Sequence, residues 1–191
     1  RSKEENLQCY CVPMRSELSE VSEGSAETAG AVTARPANRW LAATRPQFLT
    51  ITVVAVLVGL AGAAASGVPF DAPRAALTLI GALFAHAGAN LVNDYHDREA
   101  DAVNADGLHP FTGGSRMIQR GLFEARTIAA YGYALLAATA ALGVVLAAGR
   151  PPLWGVGAAG LLLAIGYSAP PLRLSPQGFG EAVIAIAWLL V

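Results

Sequence analysis

Four stretches of this chain are long enough, and empty enough of charge, to cross a lipid bilayer as helices. Residues 47–70, 75–93, 127–149 and 151–172 carry no Asp, Glu, Lys or Arg and are dense in Leu, Val, Ile and Ala. A helix needs about 20 such residues to traverse the hydrocarbon core. A fifth apolar run starts near Gly178 and continues to Val191. Four such runs in 191 residues leave little room for a large soluble bundle with buried helices. The composition agrees, with 54% hydrophobic and only 14% charged residues, where soluble domains carry roughly a quarter charged. The expected fold is therefore all-α, a polytopic transmembrane helical bundle in contact with the lipid bilayer.

The charges that remain are unevenly placed. Residues 1–45 hold 12 of the 27 charged residues (13 basic plus 14 acidic). A net charge of −1 offers no basic face for nucleic acid, so no nucleic-acid partner is expected. Cys9 and Cys11 are the only cysteines, which excludes a disulfide scaffold. They also lack the further Cys or His ligands that a structural metal site needs. Residues 1–38 are rich in Ser, Glu, Ala and Gly without apolar periodicity, and read as a disordered cytoplasmic segment ahead of a membrane domain at 39–191. They contain no signal-peptide core, so the first span would direct insertion. If the spans alternate, 11 of the 13 Lys and Arg residues fall on one face, all but Arg74 and Arg150. The positive-inside rule makes that face cytoplasmic. The chain opens on Arg1 and stops within an apolar run at Val191, which reads as a piece of a longer protein or a truncated gene product.

The most informative polar segment lies at the cytoplasmic end of the second run. It reads Asn90-Leu-Val-Asn93-Asp94-Tyr-His-Asp97-Arg-Glu-Ala-Asp101. On one continuous helix, with Asn93 at zero, His86, Asn90, Asp97 and Asp101 fall within roughly 80° of it, and Asp94 lies at the edge near about 100°. One face would then present amide and carboxylate oxygens over roughly 12 Å. Carboxylates four residues apart repel unless something neutralises them, and near a bilayer that cost rises. Hard oxygens in this array suit Mg²⁺, which accepts one or two carboxylates together with phosphate oxygens and water. The same pattern also fits a solvated helix end whose acids face cytoplasmic water. His86 reads more simply as a hydrogen-bonded packing residue.

Two further segments belong to the same face. Thr112-Gly113-Gly114-Ser115-Arg116, followed by Arg120, could turn backbone N–H groups and cationic side chains toward a diphosphate. Tyr167-Ser-Ala-Pro170-Pro171-Leu-Arg173 follows the fourth run, where Pro-Pro stops the helix and stiffens the exit. Alone, that segment is equally a helix stop with an interfacial tyrosine.

With these residues the chain resembles the UbiA superfamily of intramembrane prenyltransferases. Asn93-Asp94-x-x-Asp97-x-x-x-Asp101 is similar to that family's first aspartate-rich motif, and Tyr167 to Arg173 with Gly178-x-Gly180-Glu181 resembles the loop after its fourth helix. The resemblance runs from about Arg45 to Val191. It implies a nine-helix bundle, of which about five spans are present, that moves a prenyl group from a polyprenyl diphosphate to an acceptor, often aromatic. By that resemblance Asn93, Asp94, Asp97 and Asp101 are the catalytic set, and Asn93, Asp97 and Asp101 hold Mg²⁺. Asn90, Arg116, Arg120, Tyr167 and Arg173 would then contact substrate. Arg173 stands where many relatives have Lys, keeping the charge and changing the geometry.

Within the superfamily Asn93-Asp94-Tyr95, the Thr-Gly-Gly-Ser-Arg turn and the Gly-x-Gly-Glu ending look most like dihydroxynaphthoate prenyltransferases of menaquinone biosynthesis, and chlorophyll synthase and the homogentisate enzymes share parts of the pattern. The family's second aspartate-rich motif has no counterpart, since Glu124 and Glu181 are the only acids after Asp106. The 191 residues alone are thus expected to be inactive. Two other classes fit intramembrane acids: a cation transporter, or a non-catalytic quinone-binding membrane protein. A transporter wants polar groups continuing across the facing helices, and runs one, three and four offer few beyond Thr50, Thr52, Ser66, Thr127 and Thr139.

Overall fold

The computed structural model describes residues 36–103 and 114–189. The Cys9/Cys11 pair and the first two residues of the Thr112–Arg116 turn lie outside the described residues, as does the expected disordered segment up to residue 35. The chain divides into two units, Arg1–Arg39 and Trp40–Val191. Among the described residues all regular structure is helical, as the apolar runs require. The helices are α1 (Pro36–Ala43), α2 (Pro46–Ala65), α3 (Ala72–His96), α4 (Arg98–Val103), α5 (Ala125–Ala147), α6 (Pro151–Gly166) and α7 (Gly180–Leu189). Helix α1 thus begins at Pro36, three residues inside the segment expected to be disordered.

Local chemistry sets the helix ends. Pro46 and Pro151 open α2 and α6, where a missing N–H costs nothing. Asp71 caps α3, its carboxylate accepting from the Arg74 N–H at 3.1 Å. The run expected to continue to residue 70 stops as helix at Ala65. There Gly67 takes a φ of 77°, and the N–H groups of Gly67 and Val68 return to the carbonyls of Ala64 and Ala63, both at 3.0 Å. That is a Schellman ending, whose left-handed position favours glycine. The fourth run also ends early, at Gly166 rather than near residue 172. The two prolines cannot continue a helix. The chain instead folds back, with Leu174 N–H donating to Gly166 O at 3.0 Å and Ser175 N–H to Tyr167 O at 2.8 Å. An irregular wide turn at Ser175–Phe179, with Gly178 at φ 86°, leads into α7.

Helices α2, α3 and α5 have 20, 25 and 23 residues and are long and apolar enough to cross a membrane. Helix α6, with 16 residues, spans only about 24 Å. Helix α3 is the axis, packed by α2, α5 and α6. It meets α5 at a reciprocal pair of glycines. A Cβ on Gly88 would stand 2.9 Å from the Leu136 side chain and 3.0 Å from Gly132 O. One on Gly132 would stand 2.9 Å from Leu91 Cβ and 3.1 Å from Val92 N. Small residues at such crossings let helix backbones meet where no hydrophobic force drives them together. Helices α2 and α3 are joined by Thr52 Oγ1 and His86 Nδ1 at 2.6 Å, which makes His86 the packing residue it was expected to be.

The outer surface is apolar. Leu57, Val58, Val144, Val145 and Leu162 are each more than half exposed. In water this much contiguous apolar surface would drive association. Against lipid chains it costs nothing, and the protein is an integral membrane protein.

Candidate active site

Helix α3 does not run straight through the acidic segment. It ends at His96, and Asp97 adopts φ −93° and ψ 3°, after which α4 begins at Arg98. This corrects the single continuous helix expected through Asp101. The bend falls among closely spaced carboxylates, whose repulsion weakens a helix, and Arg98 stabilises it by donating to Tyr95 O at 2.7 Å. The i to i−4 bonds survive the bend, with Asp97 N–H to Asn93 O at 2.9 Å and Asp101 N–H to Asp97 O at 2.8 Å. Asn93, Asp97 and Asp101 therefore stay on neighbouring turns.

Asp94, expected at the edge, is the most enclosed of the four, with 4% of its side chain exposed. It forms an ion pair with Arg45, itself 13% exposed. The Ser115 N–H also donates to both its oxygens, at 3.1 and 3.2 Å. Asn93 donates to Asp97 Oδ2 and to Ser168 Oγ, the latter at 2.9 Å. Ser168 is 1% exposed, so this bond ties α3 to the turn after α6. Asn90 donates to Thr44 O at 3.0 Å, which fastens the start of α2 to α3.

Three arginines surround the acids, and all three have left-handed backbones: Arg45 (φ 56°), Arg116 (φ 59°) and Arg173 (φ 44°). Among the described residues no other non-glycine residue does. Each such conformation costs of order 1 kcal/mol and tends to persist where surroundings enforce it, often at functional sites. Arg45 pairs with Asp94. The charge of Arg116 is felt at Asp101, and that of Arg173 at Asp97.

The sequence led to Arg116 and Arg173 and missed Arg45 and Ser168. Arg45 had a signal, as the last charge before the first apolar run on the acidic face. Arg120 is exposed on the turn after Arg116, and nothing among the described residues ties it to the acids. Tyr167 caps α6, and its hydroxyl lies beside Gly180, where an added Cβ would stand 3.4 Å away.

Of the expected glycine turn, Gly114, Ser115 and Arg116 are described. The Gly114 N–H bonds to Asp101 and the Ser115 N–H to Asp94, so both donors are committed to the protein's own carboxylates. Gly114 is wedged between them. A Cβ there would stand 2.3 Å from Asp101 Oδ2 and 3.1 Å from Asp94 Oδ1.

Burial raises the Asp97 carboxyl above the ordinary carboxylate range, and the neighbouring Asp101 adds to it, against the Asn93 hydrogen bond and Arg173. Burial likewise raises Asp101, with Asp94 adding repulsion, while Arg45, Arg116 and the Gly114 N–H pull it down. The folded protein therefore holds these protons more tightly than the unfolded chain. Their stabilising contribution is full below the unfolded pKa of about 4 and is lost as pH rises through the raised values. In metal-free detergent solution the Asp97→Asn/Asp101→Asn double variant should melt above the wild type at pH 7, with the gap closing near pH 4. Calorimetry showing a pH-independent gap would contradict the raised values.

No group of three or more His, Cys, Asp and Glu side chains among the described residues converges closely enough to hold a metal by itself. Two raised carboxyls beside an amide do fit a cation that takes its remaining ligands from phosphate and water.

A bundle of apolar helices with acids and arginines gathered at one end defines a membrane protein with a polar site at a mouth of the bundle. The model of the UbiA prenyltransferase family matches residues 52–191, and the chain belongs to that family. It is 30% identical over 152 residues to UbiA prenyltransferase domain-containing protein 1 of Dictyostelium discoideum. That match covers 76% of this chain and 45% of the Dictyostelium protein, so the chain spans less than half of that relative's length. No solved structure matches the chain.

Proposed function

We propose that this chain supplies the diphosphate-binding half of a membrane prenyltransferase, which transfers a polyprenyl group from its diphosphate to an aromatic acceptor. The observation that carries this reading is the gathering of Asn93, Asp97 and Asp101 with Arg116 and Arg173 at one end of the bundle of a UbiA family chain. Asn93, Asp97 and Asp101 would hold Mg²⁺, which when bound supplies neutralising charge for the departing diphosphate oxygens. Arg116 and Arg173 would add bidentate donors to the same oxygens. Asn93, fixed by Ser168, would orient the Asp97 carboxylate. The apolar helices would receive the isoprenoid tail and exclude water from the allylic centre, so that an electron-rich ring captures it instead. The cytoplasmic side is the proposed face for the site, from the distribution of Lys and Arg.

The proposed acceptor is 1,4-dihydroxy-2-naphthoate, as in menaquinone biosynthesis, on the likeness of the Thr112–Arg116 and Gly178–Glu181 segments. The 191 residues alone are proposed to bind the diphosphate without turning it over, because Glu124 and Glu181 are the only acids after Asp106. The test is transfer of labelled prenyl groups to dihydroxynaphthoate and to other phenolic acids, by the chain and by a whole relative carrying the same motif. Transfer by the whole relative and none by the chain is the expected result. Turnover by the chain would refute its inactivity, and no transfer by either would refute the activity.

A further inference from the structure

Asp94 differs from its neighbours in what already surrounds it. Asp97 and Asp101 are half-buried, whereas Asp94 is almost fully enclosed. Arg45 and the Ser115 N–H together occupy both its oxygens. A carboxylate held in this way has little capacity left for a cation, because ligation would strip an ion pair from a buried arginine. The partners of Asp94 come from two other parts of the chain. Arg45 is the residue from which α2 starts, and Ser115 lies between Gly114, bonded to Asp101, and Arg116, whose charge bears on Asp101.

We propose that Asp94 is a positioning residue and not a cation ligand: with Arg45 it clamps the Gly114–Arg116 segment against α3, which sets Gly114 and Arg116 beside Asp101. The clamp joins three elements at one carboxylate. Without it, the Ser115 N–H loses its acceptor and Arg45 is left as an unpaired, largely buried charge. The metal-holding side of the site would then be disordered without the loss of any ligand. This role rests on the diphosphate-binding reading above, and its test has one arm that does not.

In the first arm no ligand is present. A Ser115→Cys probe is placed in a Cys9→Ser/Cys11→Ser background in nanodiscs, and maleimide labelling is timed. Asp94→Ala should raise the labelling rate at least tenfold. The neutral pair Arg45→Gln/Asp94→Asn keeps an acceptor for the Ser115 N–H and leaves no unpaired charge, so its rate should return to within threefold of the parent. In the second arm, manganese binding with geranylgeranyl diphosphate is followed by electron paramagnetic resonance. The neutral pair should bind within threefold of wild type. Arg45→Gln alone and Asp97→Asn should each lose tenfold or more.

Unchanged labelling in Asp94→Ala overturns the clamp whatever the protein binds. A neutral pair that labels normally but has lost manganese makes Asp94 a ligand, and overturns the proposal from the other side. A wild type that binds no manganese with the diphosphate refutes the diphosphate-binding reading, while the labelling arm still decides the clamp.

Discussion

Asp97→Asn, in a whole family member that carries this motif, should lower prenyl transfer by at least about 10²–10³-fold while leaving the protein folded. The exchange preserves shape and the capacity to accept from Asn93, and it removes one of two carboxylates proposed to face the cation. The fold should tolerate it because the folded environment already disfavours the charged form: burial and Asp101 both raise this carboxyl. Loss of activity and a melting point no lower than the parent's thus come from the same cause, a charge kept for a ligand at a cost to the fold. Labelled prenyl transfer and thermal unfolding, measured on the same preparation, check both halves. Activity within threefold of the parent would remove Asp97 from the proposed metal set, and a collapsed melting curve would make it structural.

The largest effect on stability is expected at Gly132. Replacing it with Leu should destabilise the protein by about 3 kcal/mol or more, the upper end of what overpacking costs. The first added atom would already stand 2.9 Å from Leu91 Cβ and 3.1 Å from the Val92 backbone nitrogen, neither of which can swing aside. Helices α3 and α5 would have to separate, and the separation would fall within one turn of Asn93 and Asp94. Binding at the site should therefore weaken along with the fold. Gly143, on the same helix, has nothing within 4 Å of its would-be Cβ. Gly143→Ala should be neutral or slightly stabilising, since Ala is favoured over Gly in a helix by about 1 kcal/mol. Denaturant unfolding in mixed micelles distinguishes the two. Equal losses at Gly132 and Gly143 would mean that the α3–α5 contact is not as close as described.

Much of the geometry of the candidate site was legible in the sequence because the rules that expose it are local. The spacing of Asn93, Asp97 and Asp101 puts them on successive turns whatever the helix packs against, and they remain so despite the bend at Asp97. Arg116 and Arg173 were visible as charges flanking turns on the same side of the membrane. What could not be read was which charge meets which. Asp94 lay at the edge of the helical projection, yet its partner Arg45 comes from 49 residues away and Ser115 from 21. The glycine turn had the right donors for an anion, but the anions that the two described donors meet are Asp101 and Asp94.

The sequence by itself determined that the chain is a membrane helical bundle with an acidic stripe at one mouth, because bilayer thickness and helical repeat act on consecutive residues. Only the tertiary structure decided that Asp94 is buried with Arg45, that Ser168 holds Asn93, and that α3 and α5 meet at Gly88 and Gly132. Burial and ion pairing are properties of what surrounds a side chain, and here that environment is assembled from segments far apart along the chain.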